Sequence, residues 1–275
     1  MNAVYFSVFT KPWKMLPAAE LAQKVRGMGF DGIEFPLRDG YQVEPARAEV
    51  ELPRLVHNLQ DYGVQVFSVA TDLEERRFAA LQAAGIPFLR TMVPIHQELG
   101  YEQSELAFQR TLDQVIPWCE RYGVRVIVQE HYGHHVSSAL GLWRLLQGRD
   151  PRHVGAVWDA AHDALAGLEP EYGLELLWPM LAMVNLKNAF YRRVNGPESD
   201  VARYDRYFTS GPQGMASWRR ALAYLARRRY RGVLCLTAEY SEESLVDRLA
   251  QEDVHYARSL WTEVLSPPVL EQERA

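Results

Sequence analysis

Cysteine is nearly absent from this chain. Cys119 and Cys235 stand far apart in apolar stretches and no C-x-x-C occurs, which excludes a zinc ribbon or thioredoxin-type site and leaves no disulfide framework. Lysine is almost as scarce: Lys11, Lys14, Lys24 and Lys187 are the only ones among 30 basic residues. A basic excess is missing too. The formal net charge is -5, and a non-specific nucleic-acid binder needs a positive face to neutralise phosphates, so no nucleic-acid partner is expected. No apolar run approaches the ~18 residues of a membrane span. The opening MNAVYFSVFTKPWK lacks the charged start, apolar run and small-residue cleavage site of a secretory signal. A soluble, cytoplasmic protein with no membrane partner is the expectation. No Walker A loop or GxGxxG follows an apolar run, which disfavours nucleotide and nicotinamide cofactors.

What is present is a globular composition: 275 residues, 48% hydrophobic and 24% charged. Short β-rich apolar runs at residues 4–9, 32–35, 64–70, 88–93, 124–129, 154–158, 183–186 and 233–238 read as strands. Stretches of helical period follow them at 18–28, 46–62, 74–84, 104–122, 137–147, 172–181, 215–229 and 244–265. Gly29, Gly63, Gly123 and Gly232 punctuate the passage from helix to strand, as glycine does cheaply at positive φ. Eight strand–helix units require parallel pairing through right-handed crossovers, and in a chain of this length they fit a closed (β/α)8 TIM barrel better than an open sheet. No linker divides the chain, so one α/β domain is expected over residues 1–265, with a tail at 266–275. The polar connection 190–214 interleaves Arg192, Arg193, Arg203 and Arg206 with Tyr191, Tyr204 and Tyr207. Its length without periodicity predicts a lid or a disordered segment.

In such barrels chemistry sits where the strands end. Here the strand ends are acidic: Glu34 on the second, Glu130 and His131 on the fifth, Asp159 and His162 on the sixth, Glu239 on the eighth. Carboxylates brought together near the barrel axis repel and raise one another's pKa, and a divalent cation is the simplest compensation. Arginine pairing or solvation at the rim is the alternative. Lys187 shares strand parity with Asn185 and should point inward, to hold a hydroxyl or phosphate, unless it snorkels. Glu34 is open to substrate contact or to a salt bridge below the site. His96 reads best as a loop histidine. His131, His134 and His135 lack the helical HExxH pattern, so one is a candidate substrate contact and the others solvated. Trp13 and Trp158 are candidates for a sugar-facing wall or for core.

The segments VIVQEH, VGAVWDAAH, VNLKNA and LTAEY, with Gly32-Ile33-Glu34 and the run from Gly214 to Trp218, resemble the strand ends of the xylose-isomerase-like barrels. That superfamily holds sugar isomerases and epimerases, inosose-processing enzymes and DNA repair enzymes of the endonuclease IV type. The resemblance spans residues 4–260 or so. It implies that Glu130, Asp159 and Glu239 are metal-binding carboxylates, with His162 near the substrate or metal. Where the family usually carries histidine on the seventh strand, this chain has Asn185, a neutral and weaker donor. The implied cofactor is one divalent metal, Mn²⁺ or Mg²⁺ by ligand type, with Co²⁺ or Zn²⁺ as alternatives.

The resemblance further implies a metal-dependent isomerase or epimerase acting on a small sugar, sugar phosphate or polyol. In that reading Glu130 and Glu239, on strands taken to face each other across the barrel, move a proton next to a carbonyl. Pure ligation by both carboxylates is the competing role. Substrate contacts are expected from His162, Lys187, Glu34 and His131. A lyase or dehydratase would use the same enolising step. A non-catalytic sugar-binding or regulatory barrel is the alternative from another class, with Asn185 marking a weakened metal site. A phosphodiesterase of the repair type is disfavoured, because Asp200 and Asp205 have no histidine two positions later. The partner is a small carbohydrate, and a homo-oligomer is compatible with the sequence.

Overall fold

The computed structural model describes residues 4–266, so the expected tail lies, beyond Ser266, outside the described residues. Each apolar run expected to be a strand is one, within a residue or two at either end. The barrel strands are β1 (Val4–Phe9), β2 (Gly32–Pro36), β3 (Gln65–Ala70), β4 (Phe88–Met92), β5 (Arg125–Gln129), β6 (Val154–Asp159), β7 (Leu181–Leu186) and β10 (Gly232–Leu236). All neighbouring pairs are parallel, and they close in the order β1-β10-β7-β6-β5-β4-β3-β2. This is the (β/α)8 barrel.

Helices α1 (Ala18–Met28), α2 (Ala48–Gln60), α3 (Glu75–Ala83), α4 (Gly100–Tyr122) and α5 (Ala139–Leu146) form the outer ring, together with α7 (Pro170–Leu177), α8 (Trp218–Arg227) and α9 (Val246–Leu265). Their apolar stripes pack on the outward faces of the strands. Leu21, Val25, Leu52, Leu59 and Leu222, all fully buried, belong to this ring of core. Gly29 (φ 100°) and Gly123 (φ 64°) close α1 and α4 in the left-handed conformation, where a Cβ would be strained. None of the described helices is long and apolar enough to cross a membrane.

Two elements depart from expectation. Residues 160–165 form a short helix, α6 (Ala160–Leu165), because Asp159 caps it: one side-chain oxygen accepts the backbone N–H groups of Ala161 and His162. The connection at 190–214 is not a disordered segment over its length. It contains an antiparallel hairpin of β8 (Asn188–Arg193) and β9 (Tyr204–Thr209). Arginine and aromatic side chains share a face across it: Phe190 packs on Tyr207 and Arg192 stacks over the same ring. Exposure rises along β8 and falls along β9 without alternating, so no apolar period announces the hairpin.

Inside the barrel the strands alternate. One layer is apolar, built from Phe9, Ala70, Ile127, Val157, Met183, Val233 and Cys235. Over most of it, towards the strand C-termini, lies a layer of buried polar side chains, Glu34, Ser68, Arg90, Gln129, Asp159 and Asn185, with Phe9 level with Glu34 and reaching the cavity. Gly32 sits where β2 lies close against β3. A Cβ there would lie 2.3 Å from the Gln65 carbonyl oxygen and 2.6 Å from the Phe67 ring. Gly32→Ala is therefore expected to destabilise the barrel by about 2 kcal/mol, read as a lower urea midpoint at unchanged slope.

Candidate active site

The polar layer is one hydrogen-bonded chain across six strands. Ser68 Oγ donates to Glu34 Oε1 (3.0 Å), which also receives Arg90 Nε at 2.7 Å. Arg90 Nη1 donates to Gln129 Oε1, and Gln129 Nε2 donates to Asp159 Oδ2 at 2.7 Å. Asn185 Nδ2 reaches the same oxygen from β7 at 3.4 Å. Asp159 therefore has both oxygens engaged, one on the α6 N-terminus and one on two amides. Burial raises its pKa, and the Lys187 charge opposes that rise.

Glu130 is not part of this layer. On β5, Gln129 and His131 point into the barrel mouth, so period-two alternation turns Glu130 the other way. Its Oε1 accepts the backbone N–H of Asp159 at 2.7 Å, its Oε2 is buried without a partner, and it does not line the pocket. Burial, with Asp163 adding to it, pushes its carboxyl well above the usual range. Nor does β5 face β10: two strands separate them, and β4 with Arg90 lies opposite β10. The sequence expectation of Glu130 and Glu239 facing each other across a substrate is corrected on both counts.

The mouth of the barrel holds a cavity of about 820 Å³, lined among others by Lys11, Arg90, Gln129, His131, Lys187 and Glu239. Glu239 is placed by Ala238, which adopts φ 49° directly before it. An L-residue there costs about 1 kcal/mol, a strain often found at working sites. Each Glu239 oxygen meets an ammonium: Lys187 Nζ at 2.6 Å on one, Lys11 Nζ on the other. Burial would raise the Glu239 carboxyl, but Lys187 and Lys11 outweigh it and hold it below the usual carboxylate range. Lys187 is only 5% exposed and lies 4.2 Å from the centre of the Phe208 ring, supplied by β9.

His131 Nδ1 lies 3.0 Å from the Tyr132 carbonyl oxygen, which can only accept, so Nδ1 carries the proton and Nε2 the lone pair. Burial, His162 and Lys187 push its pKa down to about 3, and it is neutral at physiological pH. His162 packs behind it with ring centres 4.5 Å apart, buried and with both nitrogens unpartnered. Burial, then Lys187, lowers its pKa strongly. Neither His162 nor Glu34 lines the cavity; Arg90 stands between Glu34 and the open space. His96 is half-exposed in its loop, and Trp13 and Trp158 are buried core residues bonded to Asp247 and Asp163.

The four groups expected to hold a metal do not form a coordination set. Glu130 turns outward, Asp159 has both oxygens satisfied, and Glu239 carries two ammonium ions. Asn185 Oδ1 is free but neutral. Among the described residues, no three His, Cys, Asp or Glu side chains are grouped to hold a metal ion. The donors present do not fit the metal that the resemblance implies. Gln129, Arg90 and Lys11 are the site residues that sequence reading passed over. Strand parity alone would have found Gln129, two residues before His131.

A model of the xylose isomerase-like TIM barrel matches residues 22–260. The chain belongs to that family. Curated relatives include inosose dehydratase of Mesomycoplasma hyopneumoniae, 21% identical over 150 residues, which are 52% of this chain and 50% of the relative. The chain thus spans about half the length of the curated relatives it matches. Similar solved structures include an L-ribulose 3-epimerase (TM-score 0.73, 12% identity, 95% of each chain). Another is the probable 3-DHS dehydratase AsbF of Bacillus anthracis (TM-score 0.71, 14% identity, 92% of this chain and 98% of that one). At such identities these likenesses establish the fold. Proteins similar to this chain thus include sugar epimerases and dehydratases.

Asp253 on α9 ties the site's surroundings together. Its Oδ1 accepts the Gly211 N–H after the hairpin (2.8 Å), and its Oδ2 accepts the Tyr240 hydroxyl beside Glu239 (2.9 Å). Burial pushes Asp253 up to about 6. A raised carboxyl pKa gives stability that is complete below the unfolded value near 4 and is lost as pH rises through about 6. Asp253→Asn should remove about 2 kcal/mol of wild-type stability change between pH 4 and 7, measured by urea unfolding across that range.

Proposed function

We propose that this barrel is an enzyme that moves a proton next to the carbonyl of a small carbohydrate or carbohydrate-derived substrate, giving isomerisation, epimerisation or loss of water. The observation that carries this reading is the juxtaposition in one cavity of a buried ammonium, Lys187, an ionised carboxylate, Glu239, and a neutral imidazole, His131. Removing a proton beside a carbonyl needs a donor at the oxygen where charge develops and an acceptor at the carbon. Lys187 is the donor. Glu239 and the Nε2 lone pair of His131 are the two acceptors, approaching from different strands. The acceptor that takes the proton holds it: returned to the neighbouring carbon it shifts the carbonyl, given to a leaving hydroxyl it eliminates water. Inversion follows where a solvent proton carried by the other acceptor is delivered to the opposite face. The dehydratases and epimerases among the similar proteins support this pair of outcomes. Arg90 and Gln129 line the floor with fixed donors suited to hydroxyl groups.

In deuterated water the protein should place solvent deuterium at the carbon beside the carbonyl of its substrate, drawn from a panel of ketoses, ketose phosphates and keto-acids derived from sugars. Glu239→Gln should slow that exchange at least about 100-fold, the usual contribution of a positioned base. A panel in which no compound exchanges, although one binds by calorimetry, would return the barrel to the ligand-binding class.

A further inference from the structure

We infer that this barrel works without a bound metal, with the Lys187 ammonium standing where a cation is needed to polarise the substrate. The role given to Lys187 rests on the carbonyl chemistry proposed above; the exclusion of metal does not. Three observations lead here.

The first is charge. The inward-facing anions at the mouth and in the polar layer are Glu34, Asp159 and Glu239, and the cations beside them are Arg90, Lys187 and Lys11. The centre is already neutral. A divalent ion would add two positive charges beside three that already match the carboxylates one for one, with no carboxylate charge left to compensate it.

The second is the donors. Gln129 occupies the inward position at the end of β5, where an acid would supply charge, and its amide is fixed between Arg90 and Asp159. Across the barrel wall Asn185 offers only a neutral amide to the same centre. An ion entering here would have to break the Gln129–Asp159 bond and would gain no charge from either amide.

The third is the choice of lysine. This chain has four lysines among 30 basic residues, yet Lys11, Lys14 and Lys187 all line this one cavity. A compact ammonium is a point charge that can face an oxygen from one direction and can exchange protons when buried, whereas a guanidinium cannot. Lys187, buried under Phe208 and two residues beyond Asn185 on the strand-seven side, projects from the protein wall into the cavity as a tethered cation.

The test is thermal unfolding and calorimetry of the full chain with MnCl₂ or MgCl₂, after dialysis against EDTA. Wild type should show no calorimetric saturation up to 1 mM metal and no change in Tm. A site with a dissociation constant near 10 µM would instead raise Tm by roughly 5 °C at that concentration. The double variant Gln129→Glu, Asn185→His puts an anionic and an imidazole donor beside Asp159 and should acquire saturable Mn²⁺ binding. Should that variant not fold, the wild-type titration still decides. Saturable wild-type binding that Asp159→Asn abolishes would overturn the inference, as would a folded double variant that stays blind to Mn²⁺. In the deuterium assay, EDTA-treated wild type should exchange at its full rate and Lys187→Met should lose exchange while still folding. Loss of exchange on EDTA treatment, restored by Mn²⁺, would also overturn it. Absence of exchange in every protein leaves the metal titrations standing and counts against the proposed reaction alone.

Discussion

A guanidinium enclosed in a closed barrel has to be met by oxygen on every side, and Arg90 is 5% exposed. That requirement orders much of the interior. Glu34 supplies the charge, Gln129 the second acceptor, and Gln129 in turn spends its amide on Asp159. Removing one member would strand a buried charge or a buried donor, which costs several kcal/mol, more than any surface ion pair in the chain contributes. The network runs from β2 to β7, so strand register and side-chain chemistry hold each other in place. It also covers most of the apolar floor of the barrel, leaving Phe9 to meet the open cavity.

The same network decides what the strand ends can do. Because Asp159 is consumed by Gln129, Asn185 and the N-terminus of α6, its charge is committed to structure. Glu239 lies outside the network and keeps its charge by pairing with the buried Lys187 and with Lys11 at the rim. Two carboxylates that look equivalent along the chain therefore have opposite fates. One holds a helix and a strand together, and the other faces the cavity. The hairpin of β8 and β9 completes the division by laying Phe208 against Lys187 and Arg206 over Tyr132.

The barrel was legible in the sequence because its signal is repeated: apolar runs, helical period and glycine punctuation recur around the chain. The hairpin was not, since its strands are built largely of arginine and aromatic residues in adjacent pairs and no apolar run announces it. At the site, Asp159, Glu239, Lys187 and His131 could be placed by strand position. Glu130 was misplaced because a resemblance fixes which strand end matters but not which of two adjacent residues points inward; a shift of one residue exchanges the faces. The pairing of Lys11 with Glu239 spans 228 positions. No local pattern contains it, because it exists only once the first and last strands of the barrel close.

That closure places the strain as well as the charge. Ala238 takes a left-handed backbone conformation immediately before Glu239, two residues beyond the end of β10, the strand that pairs with β1. A polypeptide holds an alanine at positive φ only where the surroundings determine it more strongly than its own preference. Here the surroundings are the β1–β10 register, which brings Lys11 to one oxygen of Glu239, and β7, which brings Lys187 to the other. Relaxing the backbone would move the carboxylate away from at least one ammonium. The strain is thus balanced by two ion pairs made at the edge of the cavity, where a ligand can compete for either. A substrate that takes Lys187 from Glu239 would free a carboxylate oxygen beside the carbon it presents. The resting ion pair would then give way to an ammonium on the substrate oxygen and a carboxylate ready for the proton.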